Sequence, residues 1–528
     1  MSSQSVTAVL PQHLAGLLDP GTYSHPTRDI RLVETHSSWV ILTGDYAYKI
    51  KRPVKYPFLD FTTLARRELY CREELRLNRR FAAPLYLQVC PIVRHGAGLQ
   101  MNGAGEPIEF AVQMRQFDSA DELGTLLDRG RVTIAETEQF GVALARIHQT
   151  LPRLPSHCEP QRTTQLLLDN AAQCLAATAD DANRSRIQLC VWQMRDELTR
   201  LGGLLVQRDQ EGFVRECHGD LHAGNVARID GCLQAFDCLE YEPEVRQIDV
   251  AQEIAFLAMD LAAHSRTTLA SAFLNAWLCE TGDYHACECL NLYEAHCALV
   301  RAKVAALNAA HAVGHDRIQL LNRQRLFVGI ASSRLLREPP LLIVMHGLSG
   351  SGKSWLAQNL ARELPAITIR SDLERKRLTG LAPEAHGGAG VASGLYAPAV
   401  SDNVYQHMAG LARAVLCGGR HLIVDAAFLR RASRQVFAGL AAEYGLVAVA
   451  IACEAPLAIL RDRIERRGAR GDDPSEANLE VLEWQRQHTE AIAADEGFEV
   501  IVAHTGGRPL HEVLSRLAGL GRPHREYG

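Results

Sequence analysis

The stretch LLIVMHGLSGSGKS, residues 341–354, carries residue types at a spacing that suits phosphate chemistry. An apolar run, Leu341–Met345, suits a buried parallel strand and leads into Gly347-x-x-x-x-Gly352-Lys353-Ser354. Gly347, Gly350 and Gly352, with Ser349 and Ser351 between them, let successive N–H groups converge on phosphate oxygens at a helix N-terminus. Lys353 would reach the β- and γ-phosphates, and the Ser354 hydroxyl would ligate Mg2+. Trp355, Leu356, Leu360 and Leu364 give the following helix its apolar stripe. The pattern predicts a site for a nucleoside triphosphate, with ATP and Mg2+ as the expected cofactors.

The elements that must position such a site are read from the rest of the chain. At 528 residues it is long enough for two or more domains, each with its own core. A composition of 47% hydrophobic and 22% charged residues is that of an ordinary globular protein. The net charge of −5 gives no basic footprint and weighs against nucleic acid as an obligate partner. Fourteen cysteines without framework spacing, and an N-terminus lacking the signal-peptide pattern, predict a reducing cytoplasm. No apolar run approaches ~18 residues, so no membrane span is expected. The cysteine-dense window Cys279–Cys297 reads as a buried helix rather than a metal site, because Cys287 and Cys289 fall on different faces.

Residues 1–30 read as a helix and a loop. Ile30–Ile50 then turns β-like, with Gly44-Asp45 as a hairpin turn. Phe61–Phe81 is a charged amphipathic helix, and Tyr86–Val93 and Ile108–Met114 are further strands. After Met114 the pattern is helical over Ala120–Leu127, Thr133–Leu151, Thr163–Leu205 and Val250 to about Leu336. One polar stretch, Val214–Asp237, interrupts it as strand, loop, hairpin and strand.

A small β lobe, a hinge and a helical lobe resemble a protein-kinase-like phosphotransferase. The sequence His218-Gly219-Asp220-Leu221-His222-Ala223-Gly224-Asn225 is similar to the H-G-D-x-H-x-x-N loop of aminoglycoside and choline phosphotransferases. That resemblance makes Asp220 the base that orients the acceptor hydroxyl, and Asn225 and Asp237 the Mg2+ ligands. Base and metal ligand must flank the γ-phosphate from one rigid loop, hence the spacing. Lys49 in Tyr48-Lys49-Ile50 resembles the lysine that pairs with the α- and β-phosphates, with Glu74, or Glu73, as its partner. Gln113–Phe117, with Met114 in it, takes the place of the hinge that meets adenine. Thr35-His36-Ser37-Ser38 stands where a glycine-rich loop is usual, and Arg246 and Asp249 read as a structural ion pair.

Pro339-Pro340 ends the helical stretch. Beyond it, strands at Leu341–His346, Ala366–Arg370, His421–Asp425, Leu446–Cys453 and Phe498–Ala503 alternate with helices, which implies a parallel sheet. Asp425 ends the apolar strand HLIVD, the place of a carboxylate near Mg2+. Arg370-Ser371-Asp372-Leu373-Glu374-Arg375 resembles the R-x-D-x-x-R segment of P-loop kinases related to polynucleotide kinase and zeta toxins. The resemblance makes Asp372 the base for the acceptor hydroxyl and gives Arg375 a role in holding an acceptor phosphate. The basic run Arg461–Arg470 resembles the lid of such kinases, with Arg463 and Arg467 over the transferring phosphate. Ala382–Tyr396, rich in glycine and alanine, reads as a substrate loop.

Taken together, the chain resembles bacterial fused proteins in which an aminoglycoside-phosphotransferase-like domain precedes an AAA_33 or zeta-toxin-like P-loop kinase domain. The expected fold is an α+β protein-kinase-like domain over 1–337 and an α/β P-loop NTPase domain with a parallel sheet over 338–528. The expected activity is phosphoryl transfer from ATP to hydroxyl groups of small molecules, with a nucleotide sensor or a polynucleotide 5′-hydroxyl kinase as rival readings.

Overall fold

The structure is a computed structural model that describes residues 10–56, 59–154, 160–381, 398–470, 478–507 and 509–520. The expected substrate loop at 382–396, and residues 471–477 after the basic run, lie outside the described residues. By its internal contacts the chain forms two compact units, Met1–Thr163 with Gly203–His264, and Thr164–Gly202 with Ser265–Gly528. That division runs through the helical stretch before Pro339 rather than at residue 337/338.

In the first unit, β1 (Arg31–Glu34), β2 (Ser38–Leu42) and β3 (Tyr46–Lys51) form a meander, followed by a ribbon of β4 (Lys55–Tyr56) and β5 (Leu59–Asp60). Helix α1 (Leu64–Ala82) leads to β6 (Tyr86–His95), β7 (Gly98–Met101) and β8 (Pro107–Arg115). The sheet is antiparallel in the order β1-β2-β3-β8-β6-β7. Alternation along β3 sorts its side chains. Tyr48 and Ile50 join Trp39, Ile41 and Ile92 beneath Leu14 and Leu17, whereas Lys49 and Lys51 face the other way. The expected first helix is instead a pair of 3-10 turns, Gln12–Leu18 and Pro20–Thr22.

Helices α2 (Leu123–Asp128) and α3 (Ile134–Thr150) follow, the latter opened by a capping box of Thr133 and Glu136. The stretch expected as one helical run is two helices, α4 (Pro160–Ala177) and α5 (Asp181–Gln210), most of whose residues belong to the second unit. Back in the first unit, β9 (Val214–Glu216) precedes the polar loop, and β10 (Val226–Ile229) and β11 (Cys232–Ala235) form the hairpin. Asp230 and Gly231 both take positive φ, 50° and 81°, as a two-residue hairpin of this hand requires. The short α6 (Pro243–Arg246), β12 (Gln247–Asp249), paired with β9, and α7 (Val250–Ala263) close the unit.

The second unit contains α8 (Thr267–Thr281), α9 (Cys287–His311) and α10 (Gly314–Leu335) ahead of the sheet domain. There β13 (Leu342–His346), α11 (Lys353–Glu363), β14 (Ile367–Arg370) and α12 (Ser371–Leu378) come first. After them run α13 (Pro398–Cys417), β15 (Leu422–Asp425), α14 (Arg431–Glu443) and β16 (Ala448–Glu454). The last elements are α15 (Leu457–Arg470), α16 (Leu479–His488), β17 (Phe498–His504) and α17 (Pro509–Leu520). All pairings in the five-stranded sheet, β14-β15-β13-β16-β17, are parallel. The five strands expected from apolar runs are the five found. Ile343, Met345, Ile423, Val449 and Ile451 pack against Leu356, Leu360, Val513 and Leu517 in its core. Cys287, Cys289 and Cys297 are buried on α9. Among the described residues no helix is long and apolar enough to cross a membrane.

Candidate active sites

In the first unit a strand, a helix and a loop bring charges together. Because Lys49 and Lys51 lie two apart on β3 they share a face, and both meet Glu74, fully buried on α1. Lys49 Nζ donates to Glu74 Oε1 at 2.8 Å and also to Asp237, 188 residues away. Lys51 Nζ donates to the other Glu74 oxygen and to Glu240. Burial opposes the Lys49 charge, but Asp237 and Glu74 hold the ammonium well above its usual range. Burial likewise works against the Asp237 carboxylate, and Lys49 outweighs it and lowers its pKa. Glu73, the open alternative, bonds Arg76 at 2.6 Å and Arg246 at 3.1 Å instead, so Glu74 is the lysine's partner.

Asp237 has φ 64°, a left-handed conformation uncommon outside glycine. Neighbours fix it there: its N–H donates to Tyr86 Oη at 3.0 Å, and the next N–H, of Cys238, donates to Asn78 Oδ1 at 2.9 Å. Asn78 lies one turn after Glu74, so α1 holds the lysine's partner and the Asp237 turn together.

The polar loop is anchored from beneath. The carboxylate of Glu253, on α7, accepts the His218 and Gly219 N–H groups at 2.6 and 3.0 Å, and faces His148 Nε2 at 3.1 Å. His218 Nδ1 accepts from the Asp220 N–H at 3.3 Å, which leaves the proton on Nε2 to donate to the Phe236 carbonyl at 2.9 Å. Burial lowers the His218 pKa, in keeping with that neutral form. Gly219 has φ 85°, and a Cβ there would come within 2.8 Å of Arg246 Cβ. Asn225 Nδ2 donates to the Asp220 carbonyl at 3.0 Å and to its carboxylate at 3.1 Å, and His222 Nε2 lies 3.5 Å from the same carboxylate. Arg246 and Asp249 do not pair with each other. Arg246 bonds Glu73 and Glu216, and Asp249 bonds Arg208 at 2.6 Å, because the α6–β12 turn separates their side chains. Met114 sits near the end of β8, half-buried and flanked by Ala47 and Tyr86 on the neighbouring strands.

In the second unit the glycine loop bends as its sequence requires. Gly347, Gly350 and Gly352 have φ 139°, 78° and 85°. A Cβ on Gly347 would lie 2.6 Å from the Cys453 carbonyl oxygen, and one on Gly350 2.7 Å from that of Leu460. Lys353 Nζ donates to the Leu348 carbonyl at 2.8 Å. The Ser349 N–H donates to Gln485 Oε1 of α16 at 2.8 Å. Thr505 Oγ1 donates to the Ser351 carbonyl at 2.6 Å, and Arg463 donates to the Gly350 carbonyl at 3.2 Å and the Thr505 carbonyl at 2.8 Å. Arg463 thus ties the Gly350 carbonyl of the loop to Thr505.

The Ser354 hydroxyl lies beside the Asp425 carboxylate, and Arg370 Nε lies 3.7 Å from that carboxylate. Burial raises the Asp425 pKa, with Arg370, Ser354 and Lys353 pulling it down and Asp372 pushing it up. Burial lowers that of Lys353, against Asp425, Cys453 and Asp372, and the Arg467 guanidinium lowers it further. Lys353 therefore lies in the field of Asp425, Asp372 and Arg467. The residues present fit a magnesium triphosphate: left-handed glycines open the cradle, the buried Ser351 hydroxyl has no partner among the described residues, and Ser354 is already beside a carboxylate.

Several residues of these sites were not singled out in the sequence. Lys51 and Asn78 could have been found from i,i+2 spacing on a strand and i,i+4 spacing on a helix. Glu240, Glu253, Gln485 and Thr505 carry no local signal, since each acts on a segment distant in sequence.

Residues 342–492 match AAA_33, described as an AAA domain. Over 465 residues, 85% of this chain and 89% of the relative, the sequence is 30% identical to the uncharacterised protein Rv2004c of Mycobacterium tuberculosis H37Rv. The uncharacterised protein Mb2027c of Mycobacterium bovis matches to the same extent. This chain belongs to the Rv2004c family. Its architecture is a part with a six-stranded antiparallel sheet followed by an AAA_33 domain with a P-loop and a five-stranded parallel sheet. Among solved structures, a choline/ethanolamine kinase family protein from Mesorhizobium loti is similar over 59% of this chain and 94% of its own, at 12% identity and TM-score 0.36. A gluconokinase from Sinorhizobium meliloti is similar over 35% of this chain and 95% of its own, at 20% identity and TM-score 0.26.

Proposed function

We propose that this member of the Rv2004c family is an ATP- and Mg2+-dependent phosphotransferase with two sites, each acting on a hydroxyl group of a small molecule. The functional division we propose falls at residue 337/338, with Asp220 chemistry before it and Asp372 chemistry after it. The reading is carried by one observation with a counterpart in each unit: a lysine lies in the field of carboxylates brought from other segments, Lys49 in ion pairs with Glu74 and Asp237, and Lys353 near enough to Asp425 and Asp372 to feel their charge.

Bound Mg·ATP would supply the transferable phosphoryl group and the metal charge that neutralises it. At the first site Lys49, positioned by Glu74, would hold the α- and β-phosphates, with the Met114 segment at the base. Asn225 and Asp237 would hold the metal, and Asp220 would accept the proton of the acceptor hydroxyl. At the second site the backbone of Gly347–Gly352 and Lys353 would cradle the phosphates, with Arg463 keeping the loop in shape. Ser354 and Asp425 would hold the metal, Asp372 would take the acceptor proton, and Arg467 would offset charge on the transferring group. Both sites work by placement and charge rather than by a covalent enzyme intermediate.

The test is an untargeted small-molecule screen with labelled ATP, comparing the full chain with Asp220→Ala, Asp372→Ala and Lys353→Ala. Each aspartate variant should lose its own product by about 100-fold or more. If no labelled product forms, or if none responds to these changes, the phosphotransferase reading is wrong. Tight ATP binding by a site that never yields product would point to the sensor reading.

A further inference from the structure

Strand β14 is the edge strand of the second unit's sheet, paired on one side with β15. The strand delivers Arg370 and Asp372. Alternation along it turns every second residue's backbone groups away from β15. Ile367 N–H faces inward, donating to the His421 carbonyl at 2.8 Å, so the groups of Ala366 and Thr368 face the open edge. The Ala366 N–H turns back to the Ala361 carbonyl at 2.9 Å, and the other three outward groups, the Ala366 carbonyl and the Thr368 N–H and carbonyl, are met by side chains from before Pro339. Asn275 Nδ2 donates to the Ala366 carbonyl at 2.9 Å, and Asn275 Oδ1 accepts from the Thr368 N–H at 2.7 Å. One carboxamide thus reproduces the donor–acceptor pair that a further strand would offer. Tyr284 Oη, fully buried, donates to the Thr368 carbonyl at 3.1 Å. At the far end of the acceptor helix α12, Arg377 donates to the Cys279 carbonyl at 2.7 Å.

The surrounding contact is close and specific. Ser271 Oγ donates to the Ala361 carbonyl at 2.7 Å, Asn291 Nδ2 donates to the Gly418 carbonyl at 2.9 Å, and Arg420 bonds Glu294 at 2.8 Å with both side chains buried. A Cβ on Gly418 would lie 2.1 Å from the Cys287 carbonyl oxygen. The segment that carries Asp372 and Arg375 is therefore held at both ends by α8 and the turn that follows it.

We propose that Asn275 and Tyr284 are positioning residues of the P-loop site, completing the edge of its sheet so that Arg370–Arg375 meets the acceptor in register. This rests on the kinase reading of the second unit. The backbone row at Ala366–Thr368 is fixed by Asn275, and the next outward residue, Arg370, begins the acceptor segment. The phosphate-holding groups proposed above lie across β15 from this edge, in the loop after β13 and the first residues of α11, and Asn275 bonds none of them.

The test uses the full chain carrying Asp220→Ala, so that only the P-loop site contributes product, and compares it with added Asn275→Ala, Asn275→Asp or Tyr284→Phe. Three measurements are made: hydrogen exchange of the 366–378 segment, affinity for a non-hydrolysable ATP analogue, and labelled product from a small-molecule extract with ATP. Asn275→Ala should speed exchange of 366–378 at least 10-fold and cut product at least 10-fold, with analogue affinity unchanged within twofold. Tyr284→Phe, and Asn275→Asp, which keeps the acceptor for Thr368, should fall between parent and Asn275→Ala. Unchanged exchange overturns the proposal, and so does faster exchange with undiminished product. A joint loss of analogue affinity and product overturns it as well, since that marks general destabilisation. A parent that binds the analogue and makes no product sinks the kinase reading itself, whatever exchange shows.

Discussion

Glu253 shows how much one buried carboxylate can organise. Its Oε2 accepts both the His218 and Gly219 N–H groups while Oε1 faces His148 Nε2, so the loop carrying Asp220 hangs from it. Burial opposes its charge, and the hydrogen bond and charge of His148, with His218 and the Gly219 N–H, bring its pKa below the ordinary glutamate value. A group depressed in the folded state adds stability that is present above the unfolded pKa, about 4.3, and is lost as pH falls through the folded value. Glu253→Gln turns an amide N–H2 toward donors and should cost ~1–3 kcal/mol. Melting of the full chain followed from pH 6 down to pH 3 should show wild type converging on the variant in the acid window. Parallel curves would mean that Glu253 does not carry this linkage. Lys51→Met is a second residue-scale case. It removes one of the two lysines on Glu74, and first-site turnover should fall with analogue binding at the P-loop unaffected.

Among the elements, α13 ends at a point where only hydrogen fits. Gly418→Ala puts a methyl group against the Cys287 carbonyl, a backbone atom that cannot swing away, and should destabilise by ~1–3 kcal/mol or more. Gly439→Ala, inside α14 with nothing near its added Cβ, should instead be neutral or stabilising by up to ~1 kcal/mol. Denaturant midpoints of the two variants against wild type check both. The elements were unequally legible in sequence, for a physical reason. Parallel strands buried on both faces are continuous apolar runs, which is why LLIVM and HLIVD could be read directly. The short β7 and β12 have no such run and exist because a neighbouring strand offers them a ladder. The split of the stretch around 178–180 into α4 and α5 was hidden because helical composition continues across it. Local spacing showed Lys49, Asp220, Lys353 and Asp425. It could not show that Glu240 also holds Lys51, because that contact spans 189 residues of chain.

For the molecule as a whole, the second unit gathers α8–α10 with the parallel sheet. A piece starting at residue 338 would leave the Ala366 and Thr368 edge groups, Arg420 and the Gly418 carbonyl without the partners described above. A piece starting at residue 265 keeps them. Expressed side by side, the longer piece should melt at a clearly higher temperature and remain monodisperse, the shorter one exposing a strand edge open to pairing. Equal melting temperatures would show that the edge needs no partner.

The same arrangement sets an order of events during synthesis. Asn275 leaves the ribosome 93 residues ahead of Thr368, a lead of roughly 5–20 s at ordinary elongation rates. The helices that close the sheet's open edge are thus exposed, and can fold, before the strand they receive has been made. The nascent strand emerges toward a waiting template instead of a bare edge, and the interval in which it could pair with a neighbouring chain on the same message is short.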